Sequence, residues 1–232
     1  MIFKKKEEIQ AKPEIQIMVA GEQHLRFVDE INDTIEKASL ERGTGIARRT
    51  HEYIASKISE GKAIIAIDTD NDRFAGFCYI ETWNDARYVA NSGLIVHWDY
   101  RGHGLARSIK LMAFELSRKR FPDAKLFGLT TGLAVMKINS ELGYRPVTFS
   151  ELTDDEQFWK GCQSCVNYDI LLRMNKTKCL CTGMLYDPEW EVKKKKPKTP
   201  FKIYKEWLEK RKNEKLHFSL IDWTKIIILG HS

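Results

Sequence analysis

The 232-residue sequence has no apolar stretch long enough to cross a bilayer. The longest near its end, "IIIL" at 226–229, is far short of the roughly 20 residues a spanning helix needs. No apolar region follows the lysines of "MIFKKKEEIQ", so no secretory leader is expected and the protein reads as cytoplasmic, with no membrane partner. Without a leader, the five cysteines are not expected to form a disulfide framework. The sequence also lacks an internal repeat and a GxxxxGK[ST] phosphate loop, and its only biased segment is "KKKKPKTP" at 193–200. Excess charge of one sign is missing from most of the chain as well. Residues 189–232 hold 12 Lys+Arg and 6 Asp+Glu, which accounts for the whole net charge of +6 and leaves 26 of each sign elsewhere. The basicity belongs to the tail, and nucleic acid is not the expected partner of the body.

What is present is ample material for a core, at 43% hydrophobic and 11% aromatic. "EIQIMVA" (14–20) alternates as a strand, and a helix is expected from Glu22 to Ser39 with Phe27, Val28, Ile31 and Ile35 on one face. "ERGTGIARRT" (41–50) has no period and reads as a loop, after which Thr50 starts a helix that stops at Gly61. Three runs rich in β-formers follow at 63–68, 74–83 and 88–98, and their short polar connections predict an antiparallel meander. Leu105, Ile109, Met112, Ala113 and Leu116 then recur at helical spacing up to Pro122. "KLFGLT" is a strand, "GLAVMKINSELG" a helix and "YRPVTF" a last strand. This order predicts an α/β (α+β) fold with a mixed central sheet whose later strands are joined through crossover helices.

The junction "GLIVHWDYRGHGLARSIK" (93–110) carries the strongest functional signal. An apolar strand ends in Arg101, two glycines separated by one residue, and then a helix. A helix N-terminus offers free backbone N–H groups and about half a positive charge, and Gly102 and Gly104 allow a phosphate to approach them. A dinucleotide fingerprint would need Gly or Ala at 107, where Arg107 stands. The element order, with Leu94-x-Val96 and Arg101-Gly102-x-Gly104-x-Ala106, resembles the GNAT superfamily of N-acetyltransferases over roughly residues 14–150. The resemblance implies that Arg101, Gly102, His103, Gly104, Leu105 and Ala106 hold the pyrophosphate of acetyl-coenzyme A. It also implies that the strand at Leu94, Ile95 and Val96 pairs with the pantetheine arm and meets the oxyanion with a backbone N–H. Trp98 departs from the family's proline, and Asn139 stands where the family often has the tyrosine that protonates the departing thiolate.

Moving an acetyl group to an amine calls for a base, because deprotonating a lysine-like amine at pH 7 costs roughly 4 to 5 kcal/mol. Glu81, late in its strand, is the first candidate, with His97 and His103 as alternatives. Asn139 is expected to orient the coenzyme sulfur or a water, and Tyr144 is a second candidate acid whose other role is a core aromatic. In the "RGTGIARR" loop, Arg42, Arg48 and Arg49 offer bidentate carboxylate recognition. That loop and "GLTTGLAVMKINSELGY" are similar to bacterial arginine-biosynthesis acyltransferases that acylate the α-amine of glutamate, which implies a small amine bearing a carboxylate as acceptor. Protein or peptide N-termini, or a non-catalytic coenzyme A-binding module, are the competing readings.

The acyltransferase domain is expected to run from 14 to 188 and to include a cysteine-rich segment at 151–188. Cys162-x-x-Cys165 and Cys179-x-Cys181 have the spacing of a four-thiolate structural zinc site, with "VNYDILLRM" between them read as one strand of a hairpin. Reduced thiols packed under the core, or redox pairing, are the alternatives. In the basic tail (189–232), Phe201, Tyr204, Trp207 and Leu208 have helical spacing, the pattern of a helix docking on its own domain or on a second subunit of a homodimer.

Overall fold

The computed structural model describes residues 13–42 and 47–193. The compact unit ends at Trp190, and the predicted tail helix lies outside the described residues. A seven-stranded mixed sheet forms the centre, in the order β1-β2-β3-β4-β5-β7-β6. Its strands are β1 (Ile15–Val19), β2 (Ala63–Asp68), β3 (Arg73–Trp83), β4 (Tyr88–Val96), β5 (Lys125–Thr130), β6 (Arg145–Val147) and β7 (Thr182–Tyr186). The helices are α1 (Val28–Arg42), α2 (His51–Ser59), α3 (Leu105–Arg120), α4 (Leu133–Glu141), α5 (Glu156–Lys160), α6 (Tyr168–Arg173) and α7 (Glu189–Lys193). None of the described helices is long and apolar enough to cross a membrane.

The meander is as expected, with β1 to β4 paired antiparallel in chain order. All six residues of β2 are buried because helices cover both faces of this half of the sheet. One layer packs Ile64, Ala66, Cys78 and Ile80 against Ile109 and Ala113 of α3. The other packs Ile65, Ile67, Phe77 and Tyr79 against Ile31 and Ile35 of α1 and Ile54 and Ile58 of α2. Thr50 caps α2 as predicted, accepting from the Tyr53 N–H at 3.2 Å. The segment starting at Glu22 opens with a 3-10 turn (Glu22–Phe27) before α1.

Two features position the site. β4 and β5, joined through α3, are the only parallel pair in the described sheet, and their ladder is confined to Tyr88–Ala90 against Lys125–Phe127. Beyond it the two strands part. Within β4 there is also a bulge: Phe77 pairs with Ile95 and Tyr79 with Ser92, so Gly93 and Leu94 together face Cys78. Gly93 has φ +66, and a Cβ there would lie 2.6 Å from the Tyr79 ring, so only glycine fits.

Two expectations for the C-terminal part are corrected. Residues 168–173 of "VNYDILLRM" form the helix α6, with Leu171 buried and an Asp169–Arg173 ion pair at 3.1 Å along its surface, so the cysteine hairpin does not exist. The strand in that region is β7 instead, and it inserts between β5 and β6, pairing antiparallel with both.

Candidate functional site

The glycine turn and the start of α3 form an open nest. Gly102 (φ +83) and Gly104 (φ +79) are both left-handed, and no atom of the described residues lies within 4 Å of a Cβ built on either. Gly104 caps α3 without a side-chain acceptor. No described backbone carbonyl accepts from the N–H groups of His103, Gly104, Leu105 or Ala106, which leaves them to an outside anion. Arg101 donates through Nε to the Val96 carbonyl at 3.2 Å and through Nη1 to Glu41 at 3.0 Å. Leu105 is buried beneath the nest, and His103 is exposed beside it.

From the nest the parted strands lead inward. A cavity of about 180 Å³ lies between them, lined by Asn91 to Leu94 of β4, Gly128 to Thr130 of β5, Lys110 of α3 and Val135 and Asn139 of α4. Leu94 lines it, whereas Ile95 turns into the α1/α2 core and Val96 packs toward α3. Asn139 is 1% exposed, and its Oδ1 has no hydrogen-bond partner among the described residues.

A second cavity of about 340 Å³ opens on the α2 side of the sheet. Arg48, Arg49, Tyr53, Glu81, Gln157, Lys160 and Ser164 line it. It shares Arg49, Tyr79, Ser92, Phe158 and Gly161 with the first, so the two meet at the bulged strand. Arg49 is fixed there, donating Nε–H to the Tyr79 hydroxyl at 2.9 Å and Nη1–H to the carbonyls of Arg48 and Gly161 at 3.0 and 3.3 Å. Arg48 is exposed and pairs with Glu36 at 3.1 Å. The backbone of Arg42 ends α1, and the next four residues of the arginine loop lie outside the described residues.

Glu81 is the only carboxylate among the described lining of this cavity. Both its oxygens are engaged: Oε2 accepts from the Tyr53 hydroxyl at 2.5 Å and lies 2.8 Å from Lys57 Nζ, and Oε1 accepts from Lys57 at 3.0 Å. Burial, the nearby Tyr79 and the Glu81 carboxylate raise the Tyr53 pKa, so its hydroxyl stays a donor. Glu81 thus closes a nearly buried Lys57–Glu81–Tyr53 cluster at the cavity wall. His97 lines neither cavity; its Nδ1 accepts from the Asp99 N–H at 3.4 Å, and burial lowers its pKa.

Tyr144 does not reach the site. It is 2% exposed, lines neither cavity, and donates its hydroxyl to Asn91 Oδ1 at 2.8 Å. Burial raises its pKa well above the ordinary value, so as a proton donor it is both misplaced and weak. The zinc expectation finds no support. No group of three or more His, Cys, Asp or Glu side chains among the described residues has the arrangement to hold a metal ion. The cysteine pairs flank α6 in sequence, and their thiols are neighbours in space, with Cys181 beside Cys179 and near Cys165 and Cys162. Cys162, Cys165 and Cys181 reach the wall of the first cavity as thiols. Burial and the neighbouring thiols push Cys181 up to about 12, and burial pushes Cys162 up to about 11.

Lys110, Asn91, Tyr79 and Tyr53 escape a motif reading. For Lys110 the signal was present in the sequence, since it shares the buried stripe of α3 with Ala113 and Ser117 at positions i, i+3 and i+7.

No protein-family model matches the sequence, and no curated protein matches it significantly. Solved structures do. An N-acetylglutamate synthase from Neisseria gonorrhoeae, complexed with coenzyme A and N-acetyl-glutamate, superposes with TM-score 0.55 at 18% identity over 76% of this chain. This chain spans only 35% of that protein's length. A GNAT-family acetyltransferase from Staphylococcus aureus gives TM-score 0.54 at 12% identity, covering 75% of this chain and 99% of that one. Diaminobutyrate acetyltransferase from Paenibacillus lautus, in complex with its substrate and coenzyme A, gives 0.51 at 8% identity over 76% of this chain and 96% of its own. About three quarters of the chain therefore has the fold of the GNAT acetyltransferases.

Proposed function

We propose that the protein transfers an acetyl group from acetyl-coenzyme A to the amine of a small substrate bearing a carboxylate. The observation that carries this reading is continuity: an anion nest at the start of α3 leads into the seam between β4 and β5, which meets a cation-lined cavity on the other face. The nest donors and Arg101 suit a pyrophosphate. The parted strands leave β4 and β5 backbone groups free to pair with the amides of the pantetheine arm, and the bulge at Gly93–Leu94 frees a backbone N–H for the developing oxyanion. Arg49, held at the junction of both cavities, is placed to bind a carboxylate of the acceptor, with Arg48 and Lys160 at the rim for a second. Two carboxylates make glutamate the first choice. Glu81 stays with Lys57 and Tyr53 and shapes the wall, and an incoming amine that displaced Tyr53 would find its carboxylate.

The test is coenzyme A release across a panel of free amino acids and peptides. Glutamate should lead, and Arg49→Ala should raise its KM by about tenfold or more while leaving that of acetyl-coenzyme A little changed, as expected for losing a charge-assisted hydrogen bond. Acetylation of peptides with free glutamate inert would replace the amino-acid reading. Binding without turnover of any amine would leave a coenzyme A-binding module.

A further inference from the structure

The interior on the α3 side is polar where a core should be apolar. Lys110 is 2% exposed, lines the seam cavity together with Asn139, and has no carboxylate partner among the described residues. Its Nζ lies 5.3 Å from the centroid of the Tyr144 ring, a cation–π contact, and the Cys78 thiol is a titratable neighbour. Tyr144 and Cys78 both have raised pKa values from burial and stay neutral near pH 8, so no anion among the described residues offsets the charge of Lys110. Burial draws the lysine from 10.5 down to about 8.

Asn139 supplies an independent observation. Its unpartnered, buried Oδ1 borders the same cavity, an acceptor without a donor, as a site missing its ligand would show. Asn139 has no proton to give, and the Tyr144 hydroxyl is already donated to Asn91. Lys110 lines the seam with an ammonium proton that no carboxylate among the described residues accepts, and it gives that proton up more readily than the Cys162 and Cys181 thiols on the same wall, which are held at about 11 and 12.

We propose that Lys110 donates the proton that the coenzyme A sulfur takes up as the acyl group leaves, with Asn139 orienting the coenzyme beside it. This rests on the acetyltransferase reading. The amine nitrogen bonds to the acyl carbon, the carbon–sulfur bond breaks, and sulfur leaves with the electron pair and takes one proton from the Lys110 ammonium. The acylated nitrogen loses one proton to solvent on the acceptor side, and Lys110 regains one from solvent through the cavity, so the products are the amide and the free thiol. A lysine with a pKa close to working pH is well matched to this exchange.

Lys110→Met keeps the apolar stem and removes the donor. Expected are a fall in kcat of at least about tenfold, in the range for losing a general acid, with the acetyl-coenzyme A KM changed less than about threefold. The alkaline limb of the wild-type kcat profile, set near pH 8, should vanish. Calorimetry should show coenzyme A still bound. A second readout needs no turnover: in the wild-type protein with isotope-labelled lysine Cε, one resonance should titrate near pH 8 and move when coenzyme A binds. Retained kcat in the variant, a persistent alkaline limb, or every lysine titrating above about pH 9.5 would each overturn the assignment. Should Lys110→Met fail to fold, the titration decides alone. A wild type that binds coenzyme A yet acetylates nothing brings down the acetyltransferase reading and this proposal with it. An active wild type with an unaffected variant removes only Lys110.

Discussion

Lys110→Met should make the protein more stable at neutral pH. The folded pKa is drawn from 10.5 to about 8 by full burial. Between those values the folded state binds fewer protons than the unfolded one, so stability rises as pH climbs through the window, and below pH 8 the penalty is present in full. A shift of that size corresponds to about 3 kcal/mol at pH 7. Methionine also gives up the cation–π contact with Tyr144, about 1 kcal/mol, leaving a net gain of about 2 kcal/mol. Urea denaturation of both proteins at pH 7 and pH 9.5 measures it. The advantage should shrink by about 1 kcal/mol at the higher pH, where the wild-type lysine is mostly neutral in the folded state and most of its charge penalty and its cation–π contact go together. Cys78 titrates between the two pH values in the unfolded chain, but it is common to both proteins and drops out of the difference. A variant that is less stable at pH 7, or a gap that does not close with rising pH, would refute the reasoning that Lys110 is buried without compensation.

Gly104→Val should weaken coenzyme A binding by about tenfold or more in calorimetry and cost about 1 to 2 kcal/mol of stability, because a β-branched residue resists a left-handed backbone even where there is room for its Cβ. Tyr144→Phe should leave kcat within about threefold but lower stability by about 1 to 3 kcal/mol, the cost of a buried Asn91 acceptor left without its donor, as followed by thermal unfolding. Alkylation at pH 8 with mass-spectrometric readout should find Cys78, Cys162 and Cys181 protected in the folded protein and reactive in denaturant, since burial holds all three above the ordinary thiol range.

Local pattern reaches far in this protein and stops at identifiable points. The meander, the capped α2 and the glycine nest are each written within a dozen consecutive residues, so periodicity and turn chemistry expose them. β7 is not local: "TGMLY" fills the slot between β5 and β6 from far along the chain, and nothing in its own five residues says which edge it joins. In "VNYDILLRM" the apolar residues at 166, 168, 170 and 172 alternate as a strand, yet Asp169 and Arg173 already sit at the four-residue spacing of a helix. The site divides in the same way. The nest and Arg49 follow from motifs, whereas Tyr144, five residues from Asn139, ends beneath the cavity, and Lys110 is visible only to a reading that asks why a lysine occupies the buried stripe of α3.

The bulge at Gly93 also reverses the parity of β4. Before it, odd-numbered residues face α3: Val89 packs there and Asn91 bonds to Ser117. After it, even-numbered residues do, with Leu94 and Val96 on the α3 side and Ile95 on the other. One residue thus serves as a phase shifter, and the strand is two half-strands with opposite reading frames. Deleting Gly93 would mend the ladder and leave Leu94 and Val96 toward α3 and Ile95 away from it, whereas deleting or inserting a residue elsewhere in β4 would turn every later side chain to the opposite face. The tolerance of this strand should therefore be asymmetric: forgiving of changes in residue type at its outer positions, and closed to changes in length everywhere but at Gly93 itself.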